Sequence, residues 1–372
     1  MKVVKLKDIC TKGSSSLKQK DVQGKTGKYP VFGASGLIGY IDSYHQEKEY
    51  IGIVKDGSGI GRVMFLPPKS SVIGTLQYIL PKPGYDINYI GYCLKSLDLA
   101  SHKQGAAIPH IYFRDYGEKL VNVEESLDEQ RKIVERLNAA FERIDEMQKN
   151  AEYAYEEAQK LLRSTLENIF TPQDNWHKKE IQDIVDQGTA ISYGIVQPGN
   201  DIQNGIPVIR PVDLGPTELS LSDSFKRTTD VISNGYKRTI LNGKEILMCV
   251  RGTTGVVSLS NKTLKGCNVT RGIVPFKITS DIIRKYIYYW LQSPIATEFI
   301  QKKTKGAALK QINISDVKKI PIYIPSNSQD IISITNKIQF ITSKVIQLKY
   351  NLNTLTDKHL LLKQAILKET FE

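Results

Sequence analysis

Two long segments of the chain carry apolar residues at alternating spacings of three and four, the pattern of a helix that buries one stripe. In residues 126–170, SLDEQRKIVERLNAAFERIDEMQKNAEYAYEEAQKLLRSTLENIF, no Gly or Pro interrupts this pattern. Ser126 with Glu129 matches a capping box, and Thr171-Pro172 closes the segment. The pattern predicts one helix of about 43 residues, roughly 65 Å long.

The C-terminal segment, residues 326–372, repeats this design with bulkier aliphatic residues and one polar interruption, His359. An aliphatic stripe of this length avoids water, so the two segments are expected to form an antiparallel intramolecular coiled coil. A histidine in such a seam is typical of register control rather than catalysis. The predicted seam residues are Ile133, Leu137, Ala140, Ile144, Met147, Ala151, Ala154, Ala158 and Leu161 on the first helix, and Ile331, Ile334, Ile338, Ile341, Val345, Leu348, Leu352, Leu355, Leu362 and Ile366 on the second.

The remaining blocks, residues 1–125 and 171–325, contain short β-branched and aromatic runs such as YIGIV, RVMFL, EILMCV and VPFKI, separated by Gly, Pro and Asn. Helical patches are fewer, namely DINYIGYCLKSLDLASHK and SDIIRKYIYYWLQSPIATEFIQKKTK. The fold class predicted is mixed α/β. The predicted order is a first domain at 1–125, a helix at 126–170, a second domain at 171–325 and a helix at 326–372.

An internal repeat relates the two blocks. GAAIPHIYFRDYGEKLVNV aligns with GAALKQINISDVKKIPIYI at a constant offset of 201 residues without a gap. The repeat predicts a pseudo-symmetric molecule, with two similar domains held apart by the helices and suited to reading two places on one long ligand. The identical pairs are Gly105/Gly306, Ala106/Ala307, Ala107/Ala308, Ile111/Ile312 and Asp115/Asp316.

The net charge is +12, and the predicted domains are basic whereas the first long helix is acidic. This distribution favours a polyanion bound at two places. No apolar run reaches the length of a membrane span, and the N-terminus lacks a signal peptide, so a soluble cytoplasmic protein is expected. The histidines and cysteines lack metal-ligand spacing. The cysteines, expected to be buried thiols, are Cys10, Cys93, Cys249 and Cys267.

The stretch KDGSGIGRV, residues 55–63, has the glycines of a loop that cradles phosphate. A nucleotide-binding loop leads into a helix, but this one leads into VMFLPP, a strand and a turn. It therefore predicts a hairpin, and VRGTTGVVSLS is its counterpart in the second block. Two roles are open for its glycines. They could only supply the positive φ that the turn requires. Alternatively, the loop could also present backbone amides and nearby polar side chains to a nucleic-acid backbone.

The order of these motifs resembles a known family. YPVFGASGLIGYID, IGIVKDGSGIGRV and GAAIPHI precede SLDEQRKIVERL, and GIPVIRPVDL, VRGTTGVV and GAALKQINISDVKKIPIYIP precede the second helix. Duplicated around two heptad helices, this order resembles the specificity subunits of Type I restriction-modification systems, over nearly the whole chain. The resemblance implies two target-recognition domains that each read one half of a split double-stranded DNA target, with the helices as a ruler.

The resemblance also implies a non-catalytic chain without cofactor or metal, in a bacterial or archaeal cytoplasm and on the nucleoid when bound to DNA. Two modification subunits would hold S-adenosylmethionine and methylate adenine, and restriction subunits would use ATP. The sequence agrees, because neither a methyltransferase tetrad nor a Walker lysine is recognisable. The alternatives are a subunit of a methyltransferase-only or Type II-like system, a self-sufficient methyltransferase or nuclease, and a coiled-coil scaffold.

Base readout requires Arg, Lys, Asn or Gln on loops or helix ends, with Lys, Ser and backbone amides on phosphates. SHKQGAAIPHI and QKKTKGAALKQI offer such residues at corresponding places of the repeat, although each run could equally be a solvated helix end. The predicted DNA-binding residues are Lys55, Ser58, Arg62, His102, Lys103, Gln104, His110, Tyr193, Arg210, Arg251, Thr253, Thr254, Lys302, Lys303, Lys305, Lys310 and Gln311.

Overall fold

The computed structural model describes residues 1–105, 109–307 and 309–371. By packing, the chain divides into unit 1, Met1–Glu152 with Asn351–Glu372, and unit 2, Tyr153–Tyr350. Both long helices contribute residues to each unit. The repeated alanines Ala106, Ala107 and Ala308 lie outside the described residues. The domain limits drawn from the sequence stay predictions.

Unit 1 consists of short strands and helices followed by the first long helix. Its strands are β1 (Lys2–Lys5), β2 (Cys10–Ser14), β3 (Tyr29–Gly33), β4 (Gly36–Ile41), β5 (Tyr50–Val54), β6 (Val63–Leu66), β7 (Ser71–Val72), β8 (Leu76–Pro81) and β9 (Leu120–Val123). Its helices are α1 (Leu6–Ile9), α2 (Ile87–Ser96), α3 (Phe113–Tyr116) and the first part of α4 (Leu127–Ile169).

Unit 2 repeats this plan. Its strands are β10 (Trp176–Glu180), β11 (Ile206–Ile209), β12 (Glu218–Leu219), β13 (Lys226–Thr228), β14 (Glu245–Cys249), β15 (Val257–Ser260), β16 (Asn268–Val269), β17 (Ile273–Lys277) and β18 (Pro321–Pro325). Its helices are α5 (Asp230–Asn234), α6 (Asp281–Trp290), α7 (Pro294–Lys303), α8 (Ile314–Val317) and the first part of α9 (Ser328–Phe371).

The sheets of the two units correspond except for one edge strand of the four-stranded sheet. In unit 1 the strand orders are β1-β9, β4-β3-β7 and β2-β8-β5-β6, and in unit 2 they are β10-β18, β13-β11-β16 and β12-β15-β14-β17. The central hairpin β5–β6 and its neighbour β8 therefore match β14–β15 and β17. The fourth strand joins opposite edges, β8 in unit 1 and β15 in unit 2. The internal repeat predicted from the sequence is thus a repeat of sheet topology.

The glycine-rich stretch is the turn of a hairpin, as the sequence predicts. β5 pairs antiparallel with β6, so Ile53 lies opposite Val63. β14 pairs antiparallel with β15 in the same way. Both β5 and β14 are wholly buried, which explains why their sequences read as continuous apolar runs.

The long helices predicted from heptad spacing are present as α4 and α9. The backbone amide of Glu129 donates to Ser126 Oγ at 3.5 Å, so Ser126 caps α4. Gln130 is fully buried and fixes the start of the helix against unit 1. Its Nε2 donates to the carbonyl of Glu124 at 2.8 Å, and its Oε1 accepts from the amide of Asp86 at 2.7 Å.

Within unit 1, α4 and α9 run antiparallel. Lys363 Nζ lies 2.5 Å from Asp145 Oδ1, and Gln148 Nε2 donates to Thr356 Oγ1 at 2.8 Å. As the residue number rises along α4, the number of its partner on α9 falls, which is the antiparallel arrangement. The unit core joins α4 to the end of α9 through a cluster that includes Ile133, Leu137, Leu367 and Phe371. In unit 2, Leu166 and Phe170 share a core with Ile331 and Ile338.

The seam follows a slightly different line from the one predicted. Met147 is 50% exposed, Leu161 65% and Leu362 45%, whereas Phe141, Tyr155 and Leu162 are partly buried. From Leu137 the buried line on α4 first steps four residues, to Phe141, and then three, to Ile144. The predicted line first steps three residues and then four. The predicted seam positions that are buried or partly buried are Ile133, Leu137, Ala140, Ile144, Ala151, Ala158, Ile331, Ile334, Ile338, Ile341, Val345, Leu352, Leu355 and Ile366.

Candidate nucleic-acid interface

Two loops lie side by side in each unit. We call the turn between the paired strands the hairpin loop, residues 55–62 in unit 1 and 250–256 in unit 2. The second loop, here the crossing loop, is residues 103–111 in unit 1 and 304–312 in unit 2. In the sequence the two loops are about 50 residues apart, and each contributes several of the predicted DNA-binding residues.

In unit 1 backbone hydrogen bonds hold the loops together. The amide of Gly57 donates to the carbonyl of Pro109 at 3.1 Å, and the amide of Ile111 donates to the carbonyl of Lys55 at 3.0 Å. Within the crossing loop, Gln104 and His110 exchange two backbone hydrogen bonds of 2.8 and 2.9 Å. His110 therefore bridges both Asp56 and Gln104.

Unit 2 has the same backbone arrangement. The amide of Gly252 donates to the carbonyl of Lys310 at 2.8 Å, and the amide of Ile312 donates to the carbonyl of Val250 at 3.0 Å. Lys305 and Gln311 exchange two backbone hydrogen bonds of 2.8 Å. The corresponding positions are therefore Asp56 and Arg251, His110 and Gln311, and Gln104 and Lys305.

The side chains at these positions differ. In unit 1, His110 Nδ1 contacts a carboxylate oxygen of Asp56, and Gln104 Nε2 donates to Asp115 Oδ2 at 3.0 Å. Burial lowers the pKa of the His110 imidazole, and the Lys55 ammonium lowers it further. A neutral ring with its proton on Nδ1 would donate to the carboxylate.

In unit 2 the same surface is basic. Arg251 replaces Asp56, and Gln311 Nε2 lies 3.4 Å from Asn313 Oδ1. A cavity of about 230 Å³ opens beside the two loops. Tyr193 lies in its wall and is fixed there, because its hydroxyl accepts from the amide of Ile314 at 3.2 Å. The residues lining the cavity are Tyr193, Val196, Val250, Arg251, Arg271 and Gln311.

Four lysines of the predicted set lie in the last turn of α7 or in the crossing loop of unit 2, and all are exposed. Lys302 is paired with Glu298 at 2.7 Å, and Lys303 lies 3.9 Å from Asp316. For Lys305 and Lys310, the described part of the chain offers no ion pair within 4.0 Å. Lys305 and Lys310 could therefore bind a phosphate without breaking an existing ion pair.

Two of the predicted arginines make internal contacts. Arg62 NH1 donates to the carbonyl of Ala34 at 2.9 Å, which joins the hairpin loop to the β3–β4 turn. Arg210 donates through Nε and NH2 to both carboxylate oxygens of Asp213, at 3.0 and 2.8 Å. That hydrogen-bonded carboxylate raises the pKa of Arg210. Both guanidinium groups are thus engaged in holding loops.

The other predicted residues lie around the two loops. Ser58, Lys103 and Thr253 are exposed, and Lys55, His102 and Thr254 are partly buried. Thr254 Oγ1 lies 3.2 Å from Thr304 Oγ1, a further link between the loops of unit 2. The structure therefore gathers the predicted residues of each unit around one loop pair, apart from Arg210, which caps a separate turn. DNA contact by any of them stays a prediction.

Asp56 and Arg271 belong to these surfaces although the sequence did not single them out. Asp56 lies within the glycine-rich stretch, next to Lys55, but its partner His110 is 54 positions away in the chain. Arg271 precedes β17, which pairs with β14, and it lines the same cavity as Arg251. Both residues reach these surfaces through contacts between distant segments, which a single sequence does not reveal.

The four cysteines are buried and free, as expected from their spacing. Burial raises the pKa values of Cys10 and Cys93 to about 12. Over residues 1–105, 109–307 and 309–371, no group of three or more His, Cys, Asp or Glu side chains is arranged to hold a metal ion. In the same ranges, no helix combines the length and apolarity needed to cross a membrane.

Comparison with known proteins identifies a family. The profile of the Type I restriction modification DNA specificity domain matches residues 1–153 and 173–355. The Type I restriction enzyme EcoBI specificity subunit of Escherichia coli is 28% identical over 162 residues, which cover 42% of this chain and 33% of that relative. The match thus spans about a third of the relative's length.

Two solved structures share the fold. One, described as the structural basis underlying complex assembly and conformational transition of the type I R-M system, has a TM-score of 0.73 and 17% identity. The alignment covers 99% of this chain and 96% of that one. The other, the HsdS subunit from Thermoanaerobacter tengcongensis, has a TM-score of 0.54 and 17% identity, with 99% and 95% covered.

Proposed function

Because the chain belongs to the family of Type I restriction-modification DNA specificity subunits, we propose that it reads a split DNA target while its partner subunits perform the chemistry. The observation that carries this proposal is the repeated loop pair. Both units have the same backbone hydrogen bonds between hairpin loop and crossing loop, but the residues at the backbone bridge are Asp56 and His110 in one and Arg251 and Gln311 in the other. The same backbone arrangement with different side chains in the two units suits the reading of two different half-sites.

Each loop pair has the components that DNA recognition requires. Backbone amides and exposed lysines such as Lys305 and Lys310 suit phosphates, and side chains with two hydrogen-bonding groups, such as Gln311, suit base edges. The loops extend from buried strands, which hold them rigidly. The net charge of +12 would draw the chain to DNA and make its affinity fall with rising salt.

The long helices have a separate role in this proposal. α4 is continuous over 43 residues and α9 over 44, and both contribute to the cores of unit 1 and unit 2. Such helices would set the spacing between the two half-sites. They would also dock two modification subunits, and a groove of about 670 Å³ in unit 2, lined partly by Leu162, Val345 and Ile346, is a candidate for such contact.

The chemistry of the complex is assigned to the partners. S-adenosylmethionine would be held by the modification subunits and ATP by the restriction subunits, and this chain would be non-catalytic. The four buried thiols and the scattered histidines agree with a recognition role rather than a catalytic one. The cytoplasm, where such a complex would meet DNA, is the proposed location.

Mapping of methylated adenines tests the proposal. DNA exposed to this chain with its modification subunits and S-adenosylmethionine should carry methyl groups within one motif of two short blocks and a fixed spacer. This chain alone should methylate nothing. Methylation without sequence preference, or methylation by the isolated chain, would contradict the proposal.

The spacing role has its own test. One heptad inserted into α4 and one into the facing stretch of α9 would preserve the seam while lengthening the helix pair. The expected result is the same two blocks with a longer spacer. An unchanged spacer would contradict the role assigned to the helices.

A further inference from the structure

Arg251 and Arg271 line one cavity at the open end of the central sheet of unit 2. β14 pairs antiparallel with β17, with Cys249 opposite Ile273, and the amide of Val250 donates to the carbonyl of Gly272 at 2.8 Å. Arg271 lies in the turn before β17, which is closed by a hydrogen bond of 2.9 Å from the amide of Ile273 to the carbonyl of Thr270. Two guanidinium groups in the wall of one small cavity repel each other, which favours an electron-rich ligand there.

The cavity beside these arginines is lined by cationic groups without a counter-charge among the described residues. Its lining residues include Arg251 and Arg271 but no Asp or Glu. Arg251 Nε is buried and has no hydrogen-bond partner in the described part of the chain. A buried donor without an acceptor is destabilising, and native proteins keep few of them. A ligand in the cavity could supply the acceptor that Arg251 Nε lacks.

The walls of the cavity distinguish a base from a phosphate. Tyr193, Val196 and Val250 provide apolar surface, and Gln311 adds one carboxamide. A flat aromatic base suits such walls, whereas a phosphate prefers an open, fully polar site. Arg251 is partly buried at the end of a fully buried strand, but Arg271 is exposed at the rim. The two guanidinium groups are thus placed for different ligand groups.

We propose that this cavity reads a guanine in the half-site of unit 2. Arg251 would donate two hydrogen bonds to O6 and N7 of the base, the pairing for which its planar fork is suited. Arg271 would contact a neighbouring backbone phosphate, which carries no sequence information. The inference rests on the proposed function and adds the base class and the residue that reads it.

Unit 1 has different chemistry at this place. Asp56 takes the place of Arg251 and is paired with His110. Continuing the β5–β8 register, in which Val54 lies opposite Leu76, places Gly74 where unit 2 has Arg271. The position in unit 1 therefore carries a carboxylate, which accepts hydrogen bonds and cannot donate to guanine O6. The two half-sites are expected to differ at the bases read here.

The test is selection from a pool of DNA duplexes with randomised positions, using the full chain assembled with its modification subunits. The wild type should select guanine at one position of the unit 2 block. Arg251→Ala should lower that preference on the order of 10- to 100-fold and leave every other position unchanged. Arg251→Lys, which keeps the charge without the fork, should lose most of the preference.

Arg271→Ala is the matched control. It should weaken binding to all sequences alike and leave the selected bases unchanged. If Arg251→Ala also weakens binding uniformly, or if the selected sequences do not change, the guanine assignment is wrong. Selection of the unit 1 block by each variant shows that the variant is folded and assembled. A wild type that selects no split sequence would instead overturn the proposed function.

Discussion

The His110 imidazole contacts the Asp56 carboxylate across the bridge that joins the crossing loop to the hairpin loop of unit 1. The equivalent bridge in unit 2 joins Gln311 to Arg251, a neutral side chain to a cationic one. The backbone hydrogen bonds are the same in both, so the charge at this position changed while the frame did not. This is the pattern expected when a fold is kept and its specificity varies.

The hairpin loop of unit 1 depends on glycine at position 61. Gly61 has a φ of +83°, and a Cβ there would lie 2.9 Å from the amide nitrogen of Ala100. Gly57 has a φ of +79° with nothing within 4 Å of its Cβ position. Gly57→Ala should therefore cost about 1–2 kcal/mol from backbone strain alone. Gly61→Ala should cost a further 1–3 kcal/mol, roughly, from the clash.

Urea unfolding of the two variants measures this difference in the transition that includes unit 1. Equal losses for Gly57→Ala and Gly61→Ala would show that the close approach to Ala100 is not maintained in solution. The comparison is matched, because both changes add one methyl group to the same loop.

The helix pair is stabilised by the seam in its observed line. Leu137 is 3% exposed, so Leu137→Ala should lower the free energy of unfolding by about 2–5 kcal/mol. Met147 is 50% exposed, and Met147→Ala should change it by less than about 1 kcal/mol. Thermal or urea unfolding followed by circular dichroism measures both. A larger loss from Met147→Ala would place the seam on the line predicted from sequence instead.

Lysines in the crossing loop of unit 2 should govern the salt dependence of DNA binding. Removing one lysine from a phosphate lowers the slope of log affinity against log salt by about 0.9. Lys305→Ala and Lys310→Ala should each have this effect. Lys302→Ala should have less, because Lys302 is paired with Glu298 at 2.7 Å. Affinities measured at several salt concentrations decide, and a slope unchanged by Lys305→Ala or Lys310→Ala would remove these residues from the interface.

The cysteines should be unreactive in the folded chain. Burial raises the pKa of Cys93 to about 12, so about one thiol in ten thousand is ionised at pH 8. Iodoacetamide should therefore label Cys93 slowly in the native chain and rapidly in urea, as mass spectrometry can follow. The ionised fraction rises with pH, so native labelling should be faster at higher pH. Rapid native labelling at pH 8 would contradict the burial.

Much of the fold could be predicted from the sequence because its signals are local. Heptad spacing and the Ser126 cap predict α4, and the residues after the glycine-rich stretch predict a hairpin rather than a nucleotide loop. The repeat was visible because residues 105–123 align with residues 306–324 without a gap. Seam positions such as Met147 were harder, since a stripe with spacings of three and four fits two neighbouring lines on one helix.

The candidate site depends on contacts between distant segments, which the sequence does not provide. The contact of Asp56 with His110 and the cavity shared by Arg251 and Arg271 follow from strand register and loop packing. Sequence pattern also could not show that Arg62 and Arg210 hold loops through Ala34 and Asp213. Residue type alone marks every basic side chain as a candidate. The structure shows that the guanidinium groups of Arg62 and Arg210 are hydrogen-bonded within the chain, whereas Arg251 Nε has no partner among the described residues.

The central claim is that unit 1 and unit 2 read separate parts of one target, and selection from randomised duplexes tests it most directly. The wild-type complex should select two blocks with a constant spacer. His110→Ala should change only one block, Gln311→Ala only the other, and the double variant both. A single contiguous motif, or changes in both blocks caused by either single variant, would contradict the account.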